Sequence, residues 1–403
     1  MRHVRWILPL LFIVVTSAAP TLPQQGASAA SAVLKAATDR GDVPGVAVAV
    51  VNKDGLLYNA AAGMSRTVTH TPMAKDAIFN MASMTKPITS VAVMMLVDEG
   101  KLKLDDQVAK YLPKWKNPLV ISKFNEADGS YQTRPAKRPI TIRQLLTHTS
   151  GLGYGFASPM LTKIMEKTKK TELDLPLLFD PGDNWAYGPS TRVLGHVVEA
   201  ISGQKIDAFL ESKILLPLGM HDTFYLVPTT KYARVVAINR RGNDGKFTEL
   251  PVPPTIPATV QGDGGLYGTA SDYGLFLRML LNRGTLNGKR ILSEKSVQRM
   301  LVIQTGNVVV KPQQSADQAL SRNFPFGAGK DRWGLGFQLA AQRRPSRRSP
   351  GSGTWAGIFN THFFIDPTKA IGVVVMMQTL PFYDEPSMKV YADVEEAVYK
   401  NLK

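Results

Sequence analysis

The sequence contains no cysteine and only six histidines among its 403 residues. The lack of cysteine excludes disulfides, thiol nucleophiles and cysteine metal sites. No pair of histidines has the HExxH spacing or a comparable spacing of metal ligands. The composition therefore argues against a metal enzyme, and we expect neither a metal nor a cofactor.

A second absence concerns the serine hydrolases. The chain has no GxSxG motif, which excludes the nucleophile elbow of the α/β-hydrolases. A Ser-His-Asp triad built on His148, His196, His221 or His362 stays open. Each of these histidines lies in a stretch with a structural explanation, and lone histidines are often partly buried in protein cores.

Acidic residues are outnumbered by basic ones, 32 to 48, and the formal net charge is +16. Such a surface suits anionic envelope surfaces or simple solubility. The densest basic cluster consists of Arg343, Arg344, Arg347 and Arg348. It has no interleaved aromatic residues, so we interpret it as a solvated loop and expect no nucleic-acid partner.

A long apolar run lies at the N-terminus, where Arg2 and Arg5 precede an apolar stretch over residues 6–15 and small residues follow. This is the three-part layout of a secretory signal peptide. We expect cleavage after Ala29, with Ala19 as the alternative site and an uncleaved anchor as the alternative interpretation. No other segment reaches spanning length. The expected mature chain, residues 30–403, is then a periplasmic or secreted protein without a transmembrane segment.

Ser83 and Lys86 form an SxxK tetrad that opens an apolar segment. Residues 88–97 are apolar on all sides, which is typical of a fully buried helix, and Gly100 is a natural stop. Pro87 clashes with the carbonyl four residues earlier, so regular helix cannot extend much before Ser83. We therefore expect Ser83 at the helix N-terminus, where free N–H groups favour negative charge. Lys86, three residues on, can reach its hydroxyl.

The tetrad alone is weak evidence. A chain of this length contains roughly one or two such tetrads by chance, and Ser202 and Lys205 form a second one. That copy has a glycine inside it and no apolar helix behind it. We interpret it as a turn between helical stretches.

The order of the predicted elements indicates an α/β (α+β) fold. Apolar runs at residues 46–51 and 56–62 predict an N-terminal hairpin, and runs at 358–365 and 371–377 predict a C-terminal one. Residues 84–260 are mostly helical. We therefore predict one antiparallel sheet, built from N- and C-terminal segments and flanked by helices, with a mostly helical middle subdomain.

Other segments have clear local signals. The predictions are an irregular surface excursion over residues 114–138, a helix from Thr141 as cap, helices over 159–179 and 191–201, a helix over 271–282 capped by Ser271, a strand over 336–340 and a terminal helix over 387–402.

An SxxK serine needs a second proton-handling group and a pair of donors for the developing oxyanion. Tyr187 lies on a loop of proline and glycine residues, 181–190, just before a predicted helix. A glycine-rich stretch over residues 349–358 leads into the predicted strand 358–365. The first segment could supply the second proton-handling group, and the second segment could supply a donor for the oxyanion.

These three separated segments resemble the serine β-lactamase-like hydrolases, which include class C β-lactamases, D,D-peptidases and family VIII carboxylesterases. Further matching pieces lie at residues 145–152, 264–273 and 362–367. The resemblance covers nearly the whole mature chain. It implies a β-lactamase/transpeptidase-like fold in one domain.

The resemblance also implies a role for each residue. Ser83 would be the acylated nucleophile, Lys86 the base that activates it, and Tyr187 the proton shuttle to the leaving group. The backbone N–H groups of Ser83 and Ile358 would form the oxyanion hole.

Two departures from the family's pattern concern the substrate. Where β-lactamases and peptidases usually carry Lys-Thr-Gly, this chain has Trp355, Ala356 and Gly357, close to the Trp-Gly-Gly of the esterase branch and expected to contact substrate. A cationic partner for a substrate carboxylate is therefore missing. Pro189 stands where class C β-lactamases have an asparagine. Both changes favour a neutral ester, although Trp355 could instead serve packing alone.

Three hypotheses about function follow. The first is an exported serine carboxylesterase that acts on short-chain or aryl esters. The second is a class C-type β-lactamase or D,D-peptidase, and the third is a non-catalytic envelope-binding protein on the same fold. The first two expect a small-molecule ester or amide as substrate.

Overall fold

The computed structural model describes residues 19–252, 260–343 and 345–403. The core of the predicted signal peptide, residues 2–15, lies outside the described residues. No helix within the described ranges has the length and apolarity to cross a membrane.

The helices are, in chain order, α1 (Gln24–Asp39), α2 (Thr85–Asp98), α3 (Ile142–Leu146), α4 (Pro159–Thr168), α5 (Ser190–Ser202), α6 (Ile206–Leu210), α7 (Leu216–Leu218), α8 (Ala270–Leu281), α9 (Glu294–Met300) and α10 (Glu385–Asn401).

The strands are β1 (Gly45–Asn52), β2 (Leu56–Arg66), β3 (Thr71–Pro72), β4 (Phe79–Asn80), β5 (Leu119–Phe124), β6 (Tyr131–Pro135), β7 (Asn239–Arg241), β8 (Phe247–Glu249), β9 (Tyr267–Gly268), β10 (Thr285–Leu286), β11 (Lys289–Arg290), β12 (Arg332–Trp333), β13 (Gln338–Leu339), β14 (Gly353–Gly357), β15 (Thr361–Asp366), β16 (Ile371–Met376) and β17 (Thr379–Leu380).

One antiparallel sheet of eight strands has the order β12-β13-β14-β15-β16-β1-β2-β3. The pairing of β1 with β16, with Ala47 opposite Met376, joins the first strand of the chain to the last long one. The predicted hairpins β1–β2 and β15–β16 are both present. The prediction of one sheet built from N- and C-terminal segments is therefore confirmed.

Strand β1 is buried on both faces, which explains its unbroken apolar run. Its side chains alternate between two cores, because successive residues of a strand point to opposite faces. Val46, Val48 and Val50 pack in the core beneath α1 and α10, and Ala47 and Ala49 pack in the larger core beneath α8. The sheet is thus a central layer with helices on both sides.

Helix α2 lies within the larger core and is buried around most of its surface, as predicted. A 3-10 turn, Ala82–Met84, precedes it, and Pro87 is its third residue. Gly100 has φ of +71°, the left-handed conformation that follows many helix C-termini. The predicted start and end of this helix are both found.

The middle of the chain departs from the prediction in two places. Residues 114–138 are not irregular throughout, because β5 and β6 pair as an antiparallel hairpin within them. Both strands are mostly exposed or half-buried, and neither the apolar run at the start of β5 nor the polar β6 shows the apolar alternation by which strands are recognised. The helix predicted over 159–179 also ends early, at Thr168.

The C-terminal part requires three corrections. Residues 353–357, within the glycine-rich stretch before the predicted strand, form a separate strand, β14, and the strand predicted from residue 358 starts at Thr361. The cap of α8 is Thr269, whose side chain accepts from the backbone N–H of Asp272, and not Ser271. Two of the clustered arginines are not solvated: Arg348 pairs with Glu395 at 2.8 Å, and Arg347 pairs with Glu396 at 3.3 Å. Arg344 lies outside the described residues.

The hairpin β5–β6 anchors the segment that leads to Tyr187. Arg134 of β6 donates two hydrogen bonds, of 2.9 and 2.6 Å, to the carboxylate of Asp180, which also accepts from the backbone N–H of Lys137 at 2.8 Å. The hydrogen bonds from Arg134, and to a smaller extent the one from Lys137, hold the pKa of Asp180 below its usual value. The contribution of Asp180 to stability is complete above the unfolded pKa of about 3.9 and is lost as the pH falls through the lower folded value.

We expect Arg134→Gln to lower the thermal unfolding temperature at pH 7 and to lower it less at pH 2.5. Without the guanidinium the pKa of Asp180 rises, so at low pH the carboxyl is protonated in the folded variant, which relieves part of the cost of the lost partner. Thermal denaturation of both proteins across this range measures the effect. The matched control is Lys167→Gln, which removes an exposed ion pair of 3.4 Å with Asp128 and should change little at either pH. If the difference in unfolding temperature between the wild type and Arg134→Gln stays constant between pH 7 and 2.5, the pairing with ionised Asp180 does not stabilise the fold as described.

Candidate active site

Ser83 lies in the 3-10 turn that leads into α2, and its side chain is partly exposed. The preceding residue, Ala82, has φ of +44°, a conformation that is strained for a residue with a Cβ. Asn80 holds this turn, since its Oδ1 accepts from the N–H of Ala82 at 3.0 Å. The serine is therefore presented by a strained and fixed piece of backbone.

Lys86 is buried in the first turn of α2, with 2% exposure. Its Nζ donates to Ser83 Oγ at 3.0 Å and to the backbone carbonyl of Asp263 at 2.7 Å. The amine also lies 4.9 Å from the centre of the Tyr187 ring. Lys86 thus has a fixed orientation towards the serine hydroxyl.

Tyr187 approaches the serine from the other side, and its hydroxyl donates to Ser83 Oγ at 2.6 Å. Its backbone is held at both polar groups: the N–H donates to Gln313 Oε1 at 3.1 Å, and the carbonyl accepts from Tyr154 N–H at 3.1 Å. The next residue must be glycine, because a Cβ at Gly188 would lie 2.2 Å from the carbonyl oxygen of Leu152.

Aromatic rings enclose Tyr187. The centres of the Trp355, Tyr154 and His148 rings lie 4.8, 5.0 and 5.2 Å from it. The indole N–H of Trp355 donates to the Tyr187 hydroxyl at 3.4 Å, and Trp333 packs on the indole at 4.8 Å. Trp355, which was predicted to contact substrate, therefore contacts the Tyr187 hydroxyl, and this hydroxyl is bonded to Ser83.

The histidines do not form a triad with Ser83. His148 is buried beside Tyr187, and burial together with the charge of Lys86 lowers its pKa well below the usual value. Its Nδ1 has no hydrogen-bond partner among the described residues. His362 lies on β15, where burial lowers its pKa to about 3, and His196 and His221 are exposed.

The C-terminal end of β14 packs against the serine turn. A Cβ at Gly357 would lie 2.3 Å from the carbonyl oxygen of Met81 and 2.3 Å from Thr361 Oγ1. The N–H groups of Ser83 and of Ile358, the residue after β14, donate to no backbone acceptor among the described residues. These are the two N–H groups that the family resemblance implies for an oxyanion hole.

Ala356 lies on the other face of β14 from the Trp355 indole. It and Trp355 line a cavity of about 340 Å³, together with His362 and Tyr391 on the α10 side and Phe324. Phe324 also contacts the Tyr187 ring, with centres 5.7 Å apart. This cavity therefore adjoins the aromatic shell around Tyr187.

Sequence reasoning missed three residues that support the site. Asp263, whose carbonyl binds Lys86, has a buried carboxylate that accepts from Arg192 Nε at 3.0 Å and from the Tyr154 hydroxyl. Burial, and then the Asp263 charge, raises the pKa of Tyr154 well above its usual value. Nothing local in the glycine-rich stretch around Asp263 indicates a partner on α5.

Comparisons with known proteins extend over nearly the whole chain. A family profile described as Beta-lactamase matches residues 30–396. Protein Rv1367c of Mycobacterium tuberculosis (strain H37Rv) is 31% identical over 367 residues, which are 85% of this chain and 88% of that protein. Esterase EstB of Burkholderia gladioli is 29% identical over 396 residues, 88% of this chain and 90% of EstB.

Among solved structures, the LovD6 mutant of simvastatin synthase from Aspergillus terreus superposes with a TM-score of 0.80 at 24% identity. The superposition covers 94% of this chain and 95% of that one. This likeness concerns the fold, and it confirms the fold class predicted from the sequence.

We expect Gly357→Ala to weaken the site and the fold together, because its Cβ forces β14 away from the serine turn. Overpacking of this kind costs about 1–3 kcal/mol, and displacement of the Ile358 N–H should slow modification of Ser83 by a fluorophosphonate at least tenfold. Urea unfolding and the rate of labelling measure the two effects. The control is Gly55→Ala, where a Cβ meets nothing within 4 Å. Labelling of Gly357→Ala at the wild-type rate would contradict the packing argument.

Proposed function

Because the chain belongs to the beta-lactamase family, we propose that it is a serine esterase that forms an acyl-enzyme on Ser83 and acts on short-chain or aryl esters. One observation carries the proposal. Ser83 Oγ accepts hydrogen bonds from Lys86 Nζ at 3.0 Å and from the Tyr187 hydroxyl at 2.6 Å. A serine between two proton-handling groups is the arrangement that nucleophilic catalysis requires.

Acylation follows from these contacts. Lys86, in its neutral form, takes the hydroxyl proton as Ser83 Oγ attacks the ester carbonyl. The oxyanion of the tetrahedral intermediate then accepts from the N–H groups of Ser83 and Ile358. Collapse of the intermediate breaks the bond to the alcohol oxygen, and Tyr187 passes a proton to the departing alkoxide. Water then attacks the acyl-enzyme and releases the acid, with the same two groups acting in reverse.

The surroundings of Tyr187 favour an uncharged ester. At the position where lactamases and peptidases use a lysine, Trp355 is wedged between Tyr187 and Trp333 and offers one indole N–H. An indole N–H cannot supply the charge-assisted bond that a substrate carboxylate needs. The relative EstB is described as an esterase, which supports the same choice.

A second candidate is hydrolysis of β-lactams or of D-Ala-D-Ala peptides. The family description and the tyrosine beside the SxxK serine favour it. Substrate preference separates it from the esterase: turnover of nitrocefin or of a D-Ala-D-Ala peptide well above that of esters would support the second candidate.

We expect Ser83→Ala to reduce hydrolysis of p-nitrophenyl acetate and butyrate by roughly 10⁴-fold or more, since loss of a serine nucleophile has effects of this order. The same change should abolish labelling by a fluorophosphonate. Ser202→Ala, in the second SxxK tetrad, is the matched control and should leave both unchanged. Full esterase activity in Ser83→Ala would refute the proposal, and failure of the wild type to be labelled would favour a non-catalytic protein.

Export is a further part of the proposal, and the structure bears on the cleavage site. The boundary predicted after Ala29 falls within α1, and Thr21 exchanges backbone hydrogen bonds of 2.9 and 3.1 Å with Lys403. Cleavage after Ala19 keeps α1 and this contact whole, so we favour the alternative site. N-terminal sequencing of the protein from culture medium or periplasm should begin at Pro20. A start at Ala30 would support the original boundary, and an intact N-terminus would refute cleavage.

A further inference from the structure

Asp263 makes three contacts near Ser83, one through its backbone carbonyl and two through its carboxylate. The backbone carbonyl accepts from Lys86 Nζ at 2.7 Å. The side chain, 2% exposed, accepts from Arg192 Nε at 3.0 Å and from the Tyr154 hydroxyl. One residue thus orients the amine beside Ser83 through its backbone carbonyl and carries a buried carboxylate on its side chain.

Arg192 balances that charge. It lies in the first turn of α5, the helix that follows the Tyr187 loop, and its side chain is 22% exposed. Its Nη1 also lies 3.3 Å from Glu172 Oε2. A buried carboxylate whose partner is removed keeps a strong effect on nearby protonation, because the interior screens charge poorly. Without Arg192, Asp263 would favour the protonated form of the amine.

We propose that Asp263 and Arg192 are a positioning pair for Lys86: the Asp263 carbonyl orients the amine towards Ser83, and the Arg192 guanidinium cancels the Asp263 charge that would otherwise keep this amine protonated. This inference rests on the proposed function, in which Lys86 must be neutral to accept the Ser83 proton. It gives Asp263 and Arg192 a role that neither the family description nor the related proteins assign.

The other titratable groups around Lys86 do not neutralise the Asp263 charge. Tyr154 and His148 face the amine from separate loops, and burial keeps both uncharged at neutral pH by raising the pKa of Tyr154 and lowering that of His148. Tyr187 contributes its hydroxyl to Ser83. Glu172 faces Arg192, and burial raises its pKa. Asp263 is therefore the acidic residue that contacts Lys86, through its backbone carbonyl, and Arg192 is the cationic partner of its carboxylate.

The rate at which a fluorophosphonate labels Ser83 tests the pair as a function of pH. In this reaction Ser83 Oγ bonds to phosphorus, fluoride leaves, and the hydroxyl proton passes to Lys86, so labelling slows when Lys86 is protonated. Arg192→Gln leaves the Asp263 charge uncompensated, and we expect the acid limb of the profile to move up by about one pH unit. Asp263→Asn removes the negative charge and leaves the guanidinium, so the limb should move down.

The double variant Arg192→Gln/Asp263→Asn restores neutrality, and its limb should return towards the wild-type position even if its maximal rate is lower. Arg192→Lys keeps the charge and should keep the profile. A purely structural role would lower the rate without moving the limb in opposite directions for the two single variants. These opposite shifts are the result that supports the proposal.

The matched control is Arg241→Gln, which breaks a comparably buried pair with Asp384, 3.1 Å apart, away from the serine. It should destabilise the protein without shifting the profile, and thermal denaturation of each variant separates folding from chemistry. If Arg192→Gln does not fold, Asp263→Asn and Arg192→Lys still give the two expected profiles. Profiles of Arg192→Gln and Asp263→Asn that coincide with the wild type overturn the pair, whereas wild-type protein that is not labelled at Ser83 overturns the proposed function itself.

Discussion

The rigid start of a buried helix is the constraint on which this site depends. Helix α2 is surrounded by the larger core, and each fully buried aliphatic side chain contributes roughly 1.5–3 kcal/mol to stability. Burial on this scale can offset the left-handed conformation of Ala82, which costs about 1–3 kcal/mol. The strained turn therefore keeps Ser83 at a fixed place and angle. The serine and its lysine are held as part of the core.

Three other segments meet at this fixed point, and two of them are tied down by a polar contact some distance from the serine. The Tyr187 loop is anchored through Asp180 to Arg134 of the exposed hairpin. The loop that carries the Asp263 carbonyl is anchored to Arg192. Strand β14 needs no such tie, because its neighbours β13 and β15 fix it in the sheet. Convergence of this kind explains how separate pieces of chain can hold hydrogen-bond distances at one oxygen atom.

Helix α5 links two of these tasks. Its N-terminus follows the Tyr187 loop, its first turn carries Arg192, and it packs on α2. A displacement of α5 would therefore move the tyrosine hydroxyl and the partner of Asp263 at the same time. Lys86 lies on α2, and Tyr187 lies on the loop that leads into α5. The packing of these two helices therefore fixes both side chains relative to Ser83, which favours a preorganised site.

Local sequence determined the parts whose partners lie within a few residues. The tetrad of Ser83 and Lys86, the start imposed by Pro87 and the hairpin β15–β16 all depend on neighbours along the chain, and each was predicted. Tyr187, Trp355 and Ile358 were identified through family resemblance, because no local rule connects them to Ser83. The sequence by itself thus determined the fold class, and it singled out Ser83, Lys86 and Tyr187, whose side chains meet at Ser83 Oγ.

Only the tertiary structure decided what surrounds and balances that site. The pairing of Asp263 with Arg192 joins residues 71 positions apart, the hairpin β5–β6 has no apolar alternation, and Arg348 is buried against Glu395 of the terminal helix in a cluster that composition indicated to be solvated. A buried charge is stabilised by whichever opposite charge the fold brings to it. Because such partners are chosen by the packing of distant elements, no pattern of neighbouring residues records the choice.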